Sequence, residues 1–157
     1  MAMYAMIAAW AKDTGCFTPL YHIASLWISQ DSMMTSMKDG TGGDAFHFEF
    51  GPALLGAIIH MMTGAMYGAL FAVAVSRLAL GTAFLGLAGL VWGGLVFVIS
   101  SFIGLPLAAA LFDSGDQVTN MAEMAGWGTF VVEHLLYGLT LGVLLALFAR
   151  RTAPASA

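Results

Sequence analysis

Three long apolar tracts dominate the sequence, at about 52–76, 80–105 and 126–149. A bilayer-spanning helix needs about 20 predominantly apolar residues, so each tract is long enough to cross a membrane. A fourth apolar stretch, at 1–11, is too short to cross alone, because a helix of that length extends only about 16 Å. Charged residues make up 9% of the 157 residues, which is too few for an ordinary soluble domain. The sequence therefore predicts an all-α polytopic membrane protein.

A polar motif of the form H-x-x-x-G-x-x-x-G-x-L-x-A recurs inside the apolar tracts. Its two copies are His60, Gly64, Gly68, Leu70 and Ala72, then His134, Gly138, Gly142, Leu144 and Ala146. Residues four apart lie on one helix face, so each copy presents its histidine and both glycines together. Glycines let membrane helices approach closely, and a further pair, Gly89 and Gly93, lies between the two copies. The motif predicts two related units with closely packed helices.

A second, looser correspondence surrounds two Pro-Leu dipeptides, Pro19-Leu20 and Pro106-Leu107. Each is followed by an Asp-Ser dipeptide and then by methionines. We therefore expect each unit to contain a spanning helix, a Pro-Leu turn into a short amphipathic helix on the outer side, and a returning helix. Because the apolar stretch before Pro19 is the shorter one, the first helix either enters the membrane part way or begins late in this chain. We favour the late start.

These correspondences predict the domain organisation. Residues 1–151 form a single transmembrane domain, a four-helix bundle built from two parallel tandem repeats at about 1–77 and 78–151. Residues 152–157 form a solvated C-terminal tail.

The few charged residues predict the orientation. Arg77 follows the first long tract, and Arg150 and Arg151 follow the last, whereas acidic residues cluster at the opposite ends. Cytoplasmic ends of membrane helices carry an excess of Lys and Arg, so we expect a cytoplasmic C-terminus and outward-facing acidic loops. The net charge of −4, without a basic cluster, argues against a nucleic-acid partner. The single cysteine excludes an internal disulfide.

The two motif histidines are the strongest site candidates, because an ionisable ring inside a membrane helix is costly. His60 and His134 each lie about 12 Å inside a helix that runs inward from the outer side, so their rings are expected at the same depth. Three interpretations stay open. The pair could ligate the iron of a haem b, although direct helix contact through the glycines would leave no room for a porphyrin. It could hold a smaller metal ion such as copper, or make interhelical hydrogen bonds.

Glu133 and the methionines extend the candidate site. A carboxyl group at this depth is protonated, paired or in contact with water, so Glu133 is a candidate proton relay or third metal ligand, or a hydrogen-bonding group between helices. Met33 and Met37, and again Met62 and Met66, stand one turn apart, and Met121 and Met124 flank the second outer loop. Thioethers bind Cu(I), and His22, His47 and Cys16 lie in the same outer region and could join such a site. One hypothesis is therefore a copper site whose candidate ligands are His60, His134, Met62, Met66 and Glu133. The alternative is that the methionines fill irregular apolar gaps.

The motif copies also carry a family resemblance. The segments Glu133-His-Leu-Leu-Tyr-Gly-Leu-Thr-Leu-Gly142 and Ile59-His-Met-Met-Thr-Gly64 resemble those of small bacterial inner-membrane proteins of the YagU-like type. The resemblance covers about the last two-thirds of the chain. It implies a four-helix integral protein of the bacterial inner membrane and implies no activity. The chain departs from such proteins in its short N-terminus and its many methionines.

Three functions agree with these features. We place first a non-catalytic accessory or assembly subunit of a larger membrane complex, because the chain is small, has glycine-rich packing faces and carries no catalytic motif. The alternatives are a haem- or copper-binding membrane protein using His60 and His134, and a small transporter or proton channel using Glu133. The expected partners are the lipid bilayer and other membrane subunits or further copies of this chain. An enzyme is the less expected class.

Overall fold

The structure, a computed structural model, describes residues 2–78 and 80–152. Its elements are α1 (Ala2–Ala11), α2 (Thr18–Ala24), α3 (Asp31–Thr41), α4 (Phe50–Leu78), α5 (Leu85–Ile99), a π-helical turn (Ser100–Gly104), α6 (Leu105–Phe112), α7 (Asp116–Thr119), α8 (Met121–Ala125) and α9 (Trp127–Thr152). These two ranges contain no β-strand, which confirms the prediction of an all-α protein.

Three helices are long and apolar enough to cross a membrane. α4 has 29 residues, the continuous helix from α5 to α6 has 28, and the apolar part of α9, Trp127–Ala149, has 23. The fourth apolar helix, α1, has 10 residues in the described part of the chain. The prediction of membrane-spanning helices is thus confirmed for three. The predicted tail at 152–157 lies outside the described residues, apart from Thr152 at the end of α9.

A proline in the second of these helices is accommodated by the π-helical turn. Pro106 is the second residue of α6 and has no backbone N–H to donate, which interrupts the helical hydrogen bonds. In the preceding turn the N–H of Leu105 donates to the carbonyl of Ser100, five residues back, as in a π-bulge. The turn expected at Pro106 is therefore replaced by a helix that continues to Phe112. Asp113, with a left-handed φ of 51°, ends it.

Helices α5 and α9 are in direct backbone contact through glycines. A Cβ atom added to Gly89 or Gly138 would overlap the carbonyl oxygen of the other residue, and one added to Gly142 would overlap the carbonyl oxygen of Leu85. Gly93 meets α9 in the same way, one turn further along α5, at the carbonyl of His134. Such close approach is typical of small residues spaced four apart in membrane helices.

Helix α4 packs differently from α9, although both carry the motif. Its closest approach is to α2, where a Cβ atom on Gly56 would overlap the carbonyl oxygen of Leu20. Gly64 and Gly68 face side chains of α9 rather than backbone, those of Tyr137 and Leu141. The Tyr137 hydroxyl donates a hydrogen bond to the Gly64 carbonyl. α4 and α9 therefore meet through side chains, with more space between their axes than α5 and α9 have.

Two small hydrophobic clusters gather the short helices against the first turns of α4 and α9. The first consists of Ala109, Val118, Met121, Ala122 and Phe130. The second consists of Leu20, Tyr21, Met33 and Ala53. Further along, only 11% to 17% of the most apolar stretch of each spanning helix is buried within the chain. Most of their apolar surface is left for lipid or for another protein.

Candidate functional site: a cavity lined by Glu133 and His60

A cavity of about 100 Å³ lies among α1, α2, α3, α4, α8 and α9. One wall is the small-residue face of α1, formed by Ala2, Ala5 and Ala9. The other walls carry ionisable and hydroxyl side chains together with methionines. The lining is mainly apolar, and a space of this size has room for a few water molecules at its polar groups.

Glu133 is the acidic group of this cavity. It lies about two turns into α9, is 9% exposed, and has no hydrogen-bond partner among the described residues. The nearest ionisable atom is His134 Nδ1, 4.0 Å from Glu133 Oε1. That nitrogen, however, lies 2.7 Å from the Phe130 carbonyl, to which it donates a hydrogen bond. The Glu133 carboxyl group therefore lines the cavity without a hydrogen bond to any described residue.

His60 lines the same cavity from α4. The ring is partly buried and makes no hydrogen bond to any residue of the described ranges. The structure therefore brings together two of the predicted site residues, an imidazole and a carboxyl group on separate spanning helices.

His134 has a different environment from His60. Its ring packs against Phe130 and Phe97, with centroids 4.7 Å and 6.0 Å apart, respectively. The Nδ1–H bond to Phe130 is within α9 itself, so it is not one of the interhelical hydrogen bonds considered above. Equivalent positions in the motif therefore have unequal surroundings, because His60 faces the cavity and His134 faces aromatic rings.

Met62 and Met66 lie on another side of α4. Their side chains are 66% and 52% exposed. Met62 follows His60 by two residues, which places it about 200° around the helix axis from the histidine. The five candidate ligands of the predicted copper site are thus distributed over the cavity, an aromatic cluster and an exposed apolar face.

A haem group does not fit between α4 and α9. Pockets for cofactors occupy about 300–1,000 Å³, whereas this cavity holds about 100 Å³. One turn beyond the histidines, the hydrogen bond from Tyr137 to Gly64 closes the space between the two helices. The volume of this cavity and the contact at Tyr137 therefore favour a ligand smaller than haem.

Lys12 and His22 are two cavity residues that the sequence did not single out for this site. Lys12 Nζ donates to Thr129 Oγ1 at 2.9 Å and to the Ala125 carbonyl at 3.1 Å, which ties the end of α1 to the start of α9. His22 Nε2 donates to the Gln117 carbonyl at 2.7 Å. Burial lowers the pKa of His22, so its ring is neutral. The sequence suggested His22 only as a possible ligand of an outer copper site and gave no signal for Lys12, since their helices meet only in the folded chain.

A separate polar cluster lies before α4. His47 has Nδ1 3.0 Å from Asp39 Oδ2 and Nε2 3.0 Å from Glu49 Oε1. Both nitrogens face carboxylate oxygens, and the Glu49 hydrogen bond is the main cause of the raised pKa of His47, with the charges of Asp39 and Asp44 adding to it. The buried Tyr21 hydroxyl donates to the His47 carbonyl and accepts from the Glu49 N–H. This cluster joins α3 and α2 to the start of α4.

Comparison of the chain with protein-family models, with curated proteins and with solved structures finds no match. What the fold defines is a small helical protein with three helices able to span a membrane and a cavity lined by one acidic and several basic groups of the described residues.

Proposed function

We propose that this chain is an integral membrane protein that transfers protons, alone or coupled to a small solute, through the cavity lined by Glu133 and His60. The observation that carries the proposal is the Glu133 carboxyl group, which faces a cavity from inside a spanning helix and has no hydrogen-bond partner among the described residues. Ionisable residues at such positions are costly and mark ion pathways and proton relays.

The neighbouring groups support this role. His60 offers a second site for a proton on the opposite helix, and water in the cavity can connect the two. Thr129 lies one turn before Glu133 on the same helix face, and its hydroxyl is held by Lys12. A polar path therefore extends from Lys12, at the end of α1, towards Glu133.

The proposal includes the two-unit architecture and its orientation. We propose that α1 with α2 corresponds to α5 with α6, since both short helices, α2 and α6, carry a proline at their second position.

Arg77 in the last turn of α4 supports a cytoplasmic location for that end of the helix. The acidic segments and the cavity would then face outward in a bacterial inner membrane. Cysteine labelling from one side of sealed cells, at exposed positions 43 and 81, tests the orientation.

Proton flux into liposomes tests the function. The full chain is reconstituted with an entrapped pH dye, and a potassium diffusion potential drives proton entry. We expect wild-type flux well above that of empty liposomes, and flux at the empty-liposome level for Glu133→Gln, because the amide has the same shape but cannot exchange a proton. The matched control is Glu123→Gln on α8, an exposed residue outside this cavity. Equal flux in wild type and Glu133→Gln would rule out the role of Glu133.

The accessory-subunit function is the second candidate, and the exposed apolar surface of the spanning helices favours it. A subunit of a larger complex would extract from its native membrane, in a mild detergent, as part of an assembly of fixed composition. Recovery of the chain alone, as a monomer, would remove this candidate and leave that surface to lipid.

A further inference from the structure

The cavity collects soft metal ligands that are far apart in the sequence. Its lining includes two imidazoles and three thioethers, from α2, α3, α4 and α8, and these are His22, His60, Met37, Met121 and Met124. The three methionines and His22 were among the wider candidates for a copper site in the sequence, although the ligand set favoured there used Met62 and Met66 instead. From this convergence we infer that the cavity binds Cu(I).

The two imidazoles have lone pairs available for a metal. His22 uses Nε2–H for the Gln117 carbonyl, so in the neutral ring Nδ1 is an unprotonated acceptor. His60 has neither ring nitrogen engaged with a described residue. Neutral imidazole is a good copper ligand, and a hydrogen bond on the other nitrogen is the usual way of fixing its tautomer.

The thioethers line the cavity from two directions. Met37, on α3, packs beside the cluster of Leu20, Tyr21, Met33 and Ala53. Met121 is 8% exposed and Met124 is 45% exposed, both on α8. Gap-filling alone explains a methionine in a closed core, but Met124 lines the cavity while nearly half exposed.

The donor set selects the class of ion. No three His, Cys, Asp or Glu side chains in the described ranges converge as metal ligands, so zinc and other borderline or hard ions lack their usual set. Thioether and imidazole ligands together favour Cu(I).

This inference rests on the proposed function, because the same cavity would bind Cu(I) and transfer protons. Experiments can nevertheless refute copper binding and proton transfer separately. Copper binding needs the thioethers, whereas proton transfer needs Glu133. A protein that carries protons through Glu133 but takes no copper overturns the metal site alone. A protein that binds copper but shows no proton flux overturns the transport proposal alone.

The test is competition for Cu(I) between the full chain in detergent and the chromophoric bicinchoninate–Cu(I) complex, under anaerobic reducing conditions. We expect wild type to remove about one Cu(I) per chain from the probe. The variant Met37→Leu/Met121→Leu/Met124→Leu conserves side-chain volume, and we expect it to bind Cu(I) at least about tenfold more weakly. The matched control, Met62→Leu/Met66→Leu, changes exposed methionines outside this cavity and should bind as wild type does.

Three results would overturn the inference. They are failure of wild type to take Cu(I) from the probe, equal binding by the triple variant and wild type, or the same weakening in the control pair. If the triple variant does not fold, the single substitution Met124→Leu serves instead, because that side chain is partly exposed and its replacement leaves the core intact. Unchanged affinity in that variant and in a His60→Leu variant would equally refute the site.

Discussion

The Gly138→Ala substitution tests whether the α5–α9 contact is as close as the structure has it. The added Cβ atom would overlap the Gly89 carbonyl oxygen and lie 2.6 Å from Gly93 N and 2.8 Å from Gly93 Cα. These are backbone atoms of another helix, so no side-chain rotation relieves the overlap. The two helices must separate, and the adjoining contacts at Gly142 are weakened with them.

The cost follows from two opposing effects. Over-packing of a well-packed interface destabilises by about 1–3 kcal/mol, and a rigid backbone obstacle belongs at the upper end of that range. Replacing glycine by alanine inside a helix returns at most about 1 kcal/mol through helix propensity. We therefore expect Gly138→Ala to lower the free energy of unfolding by about 2 kcal/mol.

The matched control is Gly64→Ala, at the same position of the other motif copy. Its added Cβ atom would lie 3.9 Å from Tyr137 Cε2, which is an ordinary van der Waals contact. Only the propensity effect remains, so we expect this variant to be unchanged or stabilised by up to about 1 kcal/mol. Equilibrium unfolding in mixed micelles with increasing dodecyl sulfate, followed by circular dichroism, measures both. Equal stability of the two variants would refute the direct contact between α5 and α9.

Two further predictions concern the region before and at the start of α4. His47 has a raised pKa, so its stabilising effect is present below the unfolded pKa of 6.5 and is lost as the pH rises through the folded pKa. Glu49 has a lowered pKa, so its stabilising effect is present above the unfolded pKa of 4.5 and is lost as the pH falls through the folded pKa. Amide hydrogen exchange at residues 45–50 should be slowest between pH 4.5 and pH 6.5, where each ion pair stabilises the segment by at most about 1 kcal/mol. His47→Asn should remove the rise in exchange above that pH range. Wild-type exchange that does not depend on pH, after correction for the intrinsic rate, would contradict this prediction. In the second prediction, Gly56→Ala places a Cβ atom on the Leu20 carbonyl oxygen and should cost about 1–3 kcal/mol in the same micelle unfolding assay. The control Gly51→Ala meets no atom within 4 Å, so equal stability of these two variants would show that α2 does not approach α4 this closely.

Much of the fold could be predicted because its determinants are local. The length and apolarity of a tract decide whether a helix can span a bilayer, and those properties are visible in the sequence at α4, α5–α6 and α9. The continuation of the helix through Pro106 was less predictable. A proline can either end a helix at a turn or lie after a π-bulge within it, and the surrounding structure decides which occurs.

The candidate site could be predicted only in part. Glu133 and His60 stand out because ionisable groups are rare in apolar helices. Met37, Met121 and Met124 were candidates as well, but methionine is frequent throughout this chain and nothing in its spacing shows which copies line one cavity.

By itself, the sequence determined that the chain is helical, which helices can span a membrane and which face of each carries the motif, because these depend on residues within a few turns of one another. The tertiary structure alone decided what each motif residue meets. Gly138 contacts the backbone of α5 while its counterpart Gly64 contacts a tyrosine side chain, and His134 packs on aromatic rings while His60 lines the cavity. The physical reason is that identical helix faces acquire different surroundings from different neighbours, since α9 packs against the backbone of α5 and α4 packs against that of α2.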